Sequence, residues 1–110
     1  MLFTRYDRKG ASSRLRALDL VAPLAAHGID CTPRPLFDDA YVEGRHAGLA
    51  TSRTAAIGAL RRRVDVLRGN VVFDLVWIEK EALPWLPLGI ERRLLRGTPY
   101  VVDMSDAWYL

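Results

Sequence analysis

A nearly unbroken apolar run at residues 71–78 is the feature that most restricts how this chain can fold. The run reads Val-Val-Phe-Asp-Leu-Val-Trp-Ile, and it is far shorter than the roughly 20 apolar residues of a membrane span. Its β-branched and aromatic content is typical of a strand that is covered on both faces, as in a parallel sheet. The run ends abruptly at the charged residues Glu79, Lys80 and Glu81. The sequence therefore predicts a buried strand with charged groups at its carboxyl end.

Strand and helix patterns alternate along the rest of the chain. Residues 2–6 and 100–102 have strand character, and residues 29–36 predict a strand whose two prolines confine regular pairing to its first half. Asp38 or Asp39 can cap a short helical turn. Three longer helices are predicted, each ending at a glycine: from Ser12 or Ser13 to Gly28, from about Ser52 to Gly69, and from Pro87 to Gly97.

Strands that alternate with helices must be parallel and joined by right-handed crossovers. The predicted fold class is therefore α/β, a Rossmann-like parallel sheet of about four strands with helices on both faces. The simplest strand order is 3-2-1-4. With 110 residues the chain is expected to form one domain, residues 1–110, and a two-lobed enzyme is excluded.

Composition excludes several other classes of protein. Cys31 is the single cysteine, so an internal disulfide framework and a cysteine-based zinc site are excluded, and His27 and His46 are not at ligand spacing. No metal is therefore expected. Arg5 lies too close to the start for a signal peptide, which together with the single thiol favours the reducing cytosol. Sixteen basic residues against thirteen acidic ones give a net charge of +3.

The arginine run 61–63 has two interpretations. It is either the solvated face of the helix that ends at Gly69 or a contact surface for nucleic acid. The solvated face is favoured, because no aromatic platform or nucleic-acid motif accompanies the run. Nucleic acid is therefore not expected as a partner.

Three polar segments are expected to meet at the carboxyl edge of the sheet, where ligands of open α/β sheets bind. They are the turn at residues 9–14 after the first strand, residues 79–81 after the third, and residues 103–106 at the end of the fourth. Small residues at the start of a helix let backbone N–H groups approach an anion, and an arginine adds a second donor. Each segment also has a purely structural interpretation: a plain serine cap at the turn, a solvated charge cluster after residue 78, and a helix cap at Asp103 and Asp106. The local pattern alone favours the structural interpretation for the turn and for the two aspartates. The candidate ligand-binding residues are Gly10, Ser12, Ser13, Arg14, Glu79, Lys80 and Glu81, and the candidate catalytic carboxylates are Asp103 and Asp106.

Two nucleotide-binding motifs are missing from the turn after the first strand. It has neither the GxGxxG pattern nor the P-loop lysine, which disfavours a dinucleotide or Walker-type site. A response-regulator-like phosphoacceptor is also disfavoured, since no acidic pair follows the first strand and no suitably placed lysine follows.

Four segments of the sequence together resemble one enzyme family. The segments are Gly10-Ala11-Ser12-Ser13-Arg14-Leu15-Arg16, residues 35–41, residues 74–84, and Val102-Asp103-Met104-Ser105-Asp106-Ala107. In order and spacing they look like the amino-terminal half of family-4-type bacterial glycosyltransferases with the GT-B fold, over about residues 2–110. Ser105 departs from the family's pattern, because that position is often acidic.

The resemblance implies the acceptor-side domain of a two-domain, metal-free enzyme that moves a sugar from a nucleotide-sugar donor to a sugar or lipid-linked acceptor. The chain would be a truncated or split half that is inactive without its donor-binding domain, and no cofactor is expected. The expected location is the cytoplasm, including the inner surface of the membrane. By the same analogy the turn at 10–14 faces the donor phosphates, while Glu81, Asp103 and Asp106 address the acceptor or the transferring sugar.

The alternative is a non-catalytic α/β interaction module. In either case the fourth strand is expected at an open sheet edge, where unpaired N–H and C=O groups form a template for another chain. The apolar ending Ala107-Trp108-Tyr109-Leu110 adds to this exposed surface. We therefore expect self-association, or binding of a partner polypeptide, through the edge of the fourth strand.

Overall fold

The computed structural model describes residues 1–69 and 72–105. It contains a single parallel sheet in which the strands lie in the order β2-β1-β3-β4. The strands are β1 (Leu2–Tyr6), β2 (Pro33–Phe37), β3 (Val76–Glu79) and β4 (Tyr100–Asp103). The helices are α1 (Ala11–Arg16), α2 (Val21–Ala26), α3 (Asp39–His46), α4 (Arg53–Arg68) and α5 (Leu88–Leu94), with a 3-10 turn at Leu18–Leu20. The predicted α/β class with a parallel, Rossmann-like sheet is confirmed.

The predicted strand order 3-2-1-4 is wrong, because β3 lies between β1 and β4 rather than beside β2. β3 pairs with β1 in the register Leu2 opposite Trp77 and with β4 over its whole length. Its apolar side chains on both faces make it suited to an interior position. β2 can only be an edge strand, since it contains two prolines.

The prolines of β2 also explain why the predicted bounds of this strand are wrong. The strand was expected over residues 29–36 with pairing in the first half, yet it forms in the half that contains Pro33 and Pro35. The backbone N–H of Leu2 donates to the carbonyl of Thr32 at 3.0 Å. Because ladder bonds alternate along a strand, the nitrogens of Pro33 and Pro35 point away from β1, where no donor is required.

Two other predicted elements are shorter in the structure. The strand β3 was predicted to begin at residue 71, but it begins at Val76. Residue 71 itself lies outside the described residues, and Val72 is almost fully exposed. The first predicted helix is divided into α1, the 3-10 turn and α2, because Ala17 leaves helical geometry (φ −135°, ψ −58°). This break lets Ala17 and Leu18 pack against the sheet, while Leu15 is exposed.

Helices cover both faces of the sheet. On one face Phe3, Val76 and Ile78 pack with the apolar residues of α4 and with Leu95 just after α5. On the other face Leu2 and Trp77 pack with Ala17, Leu18 and Val21. Among the described residues, no helix is long and apolar enough to cross a membrane.

Arg63 corrects the prediction for the arginine run at 61–63. Arg61 and Arg62 are exposed as expected, but the side chain of Arg63 is buried. Its guanidinium donates to three carbonyl oxygens, those of Thr4 at 2.8 Å, Arg34 at 2.6 Å and Ala82 at 3.1 Å, and it lies 4.5 Å from the ring centroid of Phe3. Arg63 therefore joins α4 to β1, β2 and the segment after β3.

Candidate functional site

The strand order brings the turn after β1 next to the end of β3. These two segments are joined by Ser13 and Glu79, which are both buried. The hydroxyl of Ser13 donates to Oε2 of Glu79 at 2.6 Å and accepts from the backbone N–H of Tyr6 at 3.0 Å. The same carboxylate oxygen accepts from the N–H of Arg5 at 3.1 Å. β1 and β3 separate at this point, so the backbone N–H groups of Arg5 and Tyr6 donate to the side chains of Glu79 and Ser13 instead of to a neighbouring strand.

The chain leaves β3 through a strained turn at Lys80. Its φ is +67°, and the N–H of Glu81 donates to the carbonyl of Glu79 at 3.0 Å, which closes a three-residue turn. The N–H of Lys80 donates to the carbonyl of Asp103 at 2.9 Å, so the turn is anchored to the end of β4. The turn leaves Glu81 exposed, with its carboxylate 4.0 Å from the guanidinium of Arg5.

An open cavity of about 300 Å³ lies between the β1–α1 segment and α3. Two aromatic rings line it, those of Tyr6 and Tyr41, together with the small residues Gly10, Ala11 and Ser12. The lining also contains the basic side chains of Lys9, Arg45 and His46.

Two acidic residues of α3 fix that helix against the β1–α1 turn. Asp39 accepts from the backbone N–H of Lys9 at 2.7 Å, and Glu43 forms an ion pair with the side chain of Lys9. Asp38 caps the helix by accepting from the N–H of Tyr41 at 2.9 Å, which confirms one of the two predicted caps. These carboxylates hold the walls together and do not line the cavity.

Gly10 is required by close packing. A Cβ atom at this position would lie 2.3 Å from Cβ of Tyr6, a distance that no side-chain rotation can relieve. The absence of a side chain therefore lets the turn lie directly against the tyrosine that forms one wall of the cavity.

An aromatic cluster extends from the cavity along the carboxyl edge. The rings of Phe37 and Tyr41 stack with their centroids 4.0 Å apart, and Trp85 lies 6.1 Å from Phe37. The guanidinium of Arg5 lies 5.6 Å from the ring of Trp85, a cation–π distance. Phe37 is buried whereas Trp85 is 61% exposed, so the indole of Trp85 is the most exposed ring of this cluster.

The structure separates the predicted site residues into groups. Gly10 and Ser12 line the cavity, whereas Ser13 and Glu79 do not line it and are buried and bonded to each other. Arg14 donates to the carbonyl of Arg8 at 3.3 Å. Lys80 and Glu81 form the turn after β3.

Asp103, one of the two predicted catalytic carboxylates, lies at the other end of this edge, where β4 ends. Asp103 is half-buried and forms an ion pair with Arg16, which joins α1 to β4. Asp106 lies outside the described residues. A catalytic role for either residue stays a prediction.

Sequence reasoning missed most of the side chains that line the cavity. His46 was interpreted as a loop residue, but it is the last residue of α3. Val42, Arg45 and His46 follow the i, i+3, i+4 spacing of one helix face, and this pattern could have been found. Tyr6 carries a weaker signal, an aromatic residue at the last position of a strand. Among the described residues, no group of histidine, cysteine and carboxylate side chains is placed to hold a metal ion.

No protein-family model, curated protein or solved structure matches this chain. The site is therefore interpreted from its own geometry.

Proposed function

We propose that the chain is the acceptor-side domain of a glycosyltransferase that uses a nucleotide-sugar donor and depends on a separate donor-binding domain. The cavity beside the β1–α1 turn carries this proposal, because it lies at the carboxyl edge of a parallel sheet, where such folds bind their ligands. The resemblance of the segments at residues 10–16 and 35–41 to the glycosyltransferase family adds support, since these segments contribute Gly10, Ala11, Ser12 and Tyr41 to the lining.

The lining of the cavity suits a sugar. The rings of Tyr6 and Tyr41 can pack against the apolar face of a pyranose, and the hydroxyl and basic side chains around them can bond to its hydroxyl groups. Arg45, which also lines the cavity, can compensate negative charge on a departing diphosphate. In this proposal the domain positions the acceptor, and the second domain supplies the binding energy for the donor.

A titration followed by nuclear magnetic resonance tests the proposal. Glucose, N-acetylglucosamine and myo-inositol should shift the backbone amides of residues 9–12 and 41–46, and the Arg45→Gln variant should weaken this response. Arg53→Gln is the matched control, because Arg53 is an exposed arginine of α4 that does not line the cavity. UDP-glucose and GDP-mannose should not be turned over by the chain alone. Turnover by the chain alone, or the absence of any sugar response at these amides, contradicts the proposal.

A second candidate function is an interaction module, and the position of β4 favours it. β4 is an edge strand of the sheet, and its residues Tyr100, Val101 and Val102 are 37–47% exposed. In this proposal a second copy of the chain pairs with β4 by antiparallel strand addition, which satisfies the open backbone groups of both copies. Dimer formation without any sugar response at the cavity separates this function from the first.

The cytoplasm is the proposed location, including the inner surface of the membrane. The proposal rests on the sequence, since a chain with the single cysteine Cys31 has no internal disulfide framework of the kind common in secreted domains.

A further inference from the structure

A second cavity, of about 190 Å³, lies on the side of the sheet that α4 covers. Three arginines line it together with apolar residues of β1, β2 and α4, and we call it the arginine cavity. The arginines are Arg34, Arg62 and Arg63. The arginine cavity shares no lining residue with the cavity beside the β1–α1 turn, so a ligand bound there is independent of the proposed function.

The three arginines come together from two different elements. Arg34 of β2 lies opposite Phe3 in the strand register, and its backbone carbonyl accepts from Nη2 of Arg63 at 2.6 Å. Arg62 precedes Arg63 on α4. Arg34 and Arg62 are exposed whereas Arg63 is 3% exposed, so the cavity extends from the surface to a buried guanidinium.

No negative charge balances the arginine cavity from within. Among the described residues, the ion pairs within 4.0 Å involve Arg5, Arg8, Lys9 and Arg16, and none of them includes an arginine of this cavity. The described residues that line the cavity include no acidic side chain. Like charges around one partly buried space repel each other, and an anion that binds between them removes this repulsion.

Arg63 in particular keeps a positive charge that no neighbouring charge compensates. Its three hydrogen bonds run from Nη1 and Nη2 to carbonyl oxygens, which carry no net charge. Burial lowers the pKa of Arg63 to about 10, and Glu91 and Glu79, which oppose this shift, do not approach it within ion-pair distance. None of the three bonds uses Nε of Arg63, so its N–H group is left for a ligand.

The lining favours a phosphate group on a small molecule. Guanidinium groups match phosphate oxygens in geometry, and a dianion compensates more of three positive charges than a single carboxylate does. The cavity is smaller than the range of about 300–1,000 Å³ that is usual for drug-sized ligands, so it suits a ligand of few atoms. Because Arg63 is buried, a flat anionic surface cannot reach it.

We propose that the arginine cavity binds a phosphate group, either as inorganic phosphate or as the phosphomonoester of a small metabolite. The phosphate oxygens accept from Arg34 and Arg62 at the surface and from Nε of Arg63 in the interior. The organic part of a phosphomonoester contacts the apolar lining, which includes Phe3 and Val66. The bound anion joins β2 to α4 and stabilises the folded chain.

Titration of the full chain followed by nuclear magnetic resonance tests the proposal. Sodium phosphate, added at constant ionic strength against sodium chloride, should shift the Nε–H signal of Arg63 and the backbone amides of residues 34–36 and 59–66 until the shifts saturate. Arg34→Gln and Arg62→Gln should each raise the Kd for phosphate by about tenfold or more, because a hydrogen bond between charged groups is lost. Arg63 is kept in every variant, since its replacement is expected to destabilise the fold.

The matched control is Arg61→Gln, which removes the same charge from an exposed neighbour that does not line the cavity. It should change the Kd by less than about twofold, because water and salt screen an exposed charge outside the site. Equal losses in Arg61→Gln and Arg62→Gln, with circular dichroism showing that both are folded, show attraction by net charge alone and overturn the proposal. The absence of a saturable shift at the Nε–H signal of Arg63 also overturns it.

Phenyl phosphate distinguishes the two sources of the phosphate group. A lower Kd for phenyl phosphate than for inorganic phosphate supports a phosphomonoester, because the ring then contacts the apolar lining. An equal or higher Kd supports inorganic phosphate. Phenol carries the same ring without the anion and should leave these signals unchanged, so shifts from phenol as large as those from phenyl phosphate overturn the proposal.

Discussion

Ser13 and Glu79 form the buried link between the first helix and the third strand, with the hydroxyl of Ser13 donating to Oε2 of Glu79 at 2.6 Å. Oε1 of Glu79 is buried and has no hydrogen-bond partner among the described residues. A buried carboxylate is costly unless it accepts several hydrogen bonds, so the bonds from Ser13 and from the backbone of Arg5 are needed to keep it in place. The hydrogen bond between Ser13 and Glu79 therefore holds the β1–α1 turn, which lines the cavity, in a fixed position.

Ser13→Ala should therefore lower the free energy of unfolding by about 1–3 kcal/mol, because it leaves the N–H of Tyr6 and the carboxylate of Glu79 each one partner short. Ser12→Ala, next to it at the cavity, should change the free energy by less than about 0.5 kcal/mol. Urea unfolding of the two variants makes the comparison. Equal effects would mean that Ser13 contributes no more than a surface hydroxyl.

Gly10→Ala should destabilise the fold and narrow the cavity. The added methyl group meets Cβ of Tyr6 at 2.3 Å, and such overpacking costs about 1–3 kcal/mol. Gly89→Ala is the control, since a Cβ there meets nothing within 4 Å and alanine gains about 0.5–1 kcal/mol over glycine inside a helix. Thermal unfolding should shift in opposite directions for the two variants, and a shared direction contradicts the packing explanation.

Arg63→Met should lower the free energy of unfolding by about 3–5 kcal/mol, because three carbonyl oxygens lose their charged donor in the interior. Arg62→Met, at an exposed position, should change it by less than about 0.5 kcal/mol. Denaturant unfolding at neutral pH measures both. A small loss for Arg63→Met would show that water or neighbouring groups replace the guanidinium.

The pH dependence of Arg63 follows from the direction of its pKa shift. Burial lowers the pKa of Arg63 to about 10, while Glu91 and Glu79 oppose the shift. Above about pH 10 and up to the ordinary pKa of arginine, the folded chain binds fewer protons than the unfolded chain. Over that range Arg63 makes the free energy of unfolding rise with pH. Below that range Arg63 is protonated in both the folded and the unfolded chain, so it does not make the free energy of unfolding depend on pH. Comparing unfolding of the chain and of Arg63→Met between pH 7 and pH 9 should give parallel curves, and diverging curves would contradict this assignment.

Lys80→Gly should not destabilise the fold, and it should raise the free energy of unfolding by up to about 1 kcal/mol. The φ of +67° at Lys80 costs a side chain roughly 1–2 kcal/mol, and glycine removes this strain at an entropic cost of about 0.5–1 kcal/mol. Glu81→Gly, at the next residue, has no such strain to relieve and should lose stability. Chemical unfolding of both variants tests the turn, and a loss at position 80 as large as that at position 81 would rule out strain there.

The edge of β4 should make the chain self-associate at micromolar concentration. Val101→Lys should restore a monomer, because a charge on an edge strand opposes pairing with another strand. Val72→Lys is the matched control, since Val72 is 93% exposed and lies outside the sheet. Sedimentation velocity of the chain and of both variants decides the matter, and a wild-type chain that sediments as a monomer contradicts the prediction.

The alternation of apolar runs and helical periodicity was sufficient to predict the α/β class and the four parallel strands. It was also sufficient to place β1 and to predict a cap at Asp38 or Asp39, of which the structure has Asp38. These features depend on local properties, such as the positive φ that a glycine permits or the hydrogen bond from Tyr41 to Asp38, and neighbouring residues determine such properties. The position of the candidate site at the carboxyl edge followed from the parallel sheet itself.

The strand order, the buried state of Arg63 and the lining of the cavity were decided only by the tertiary structure. Arg63 looks like its neighbours Arg61 and Arg62 in the sequence, and it is buried because three carbonyl oxygens from distant segments meet at its position on α4. Tyr6 and His46 form one cavity because β2 lies at the edge beside β1, which brings α3 against the β1–α1 turn. Local patterns carry no information on which strand lies beside which, since that choice depends on how side chains far apart in the chain share the same buried volume.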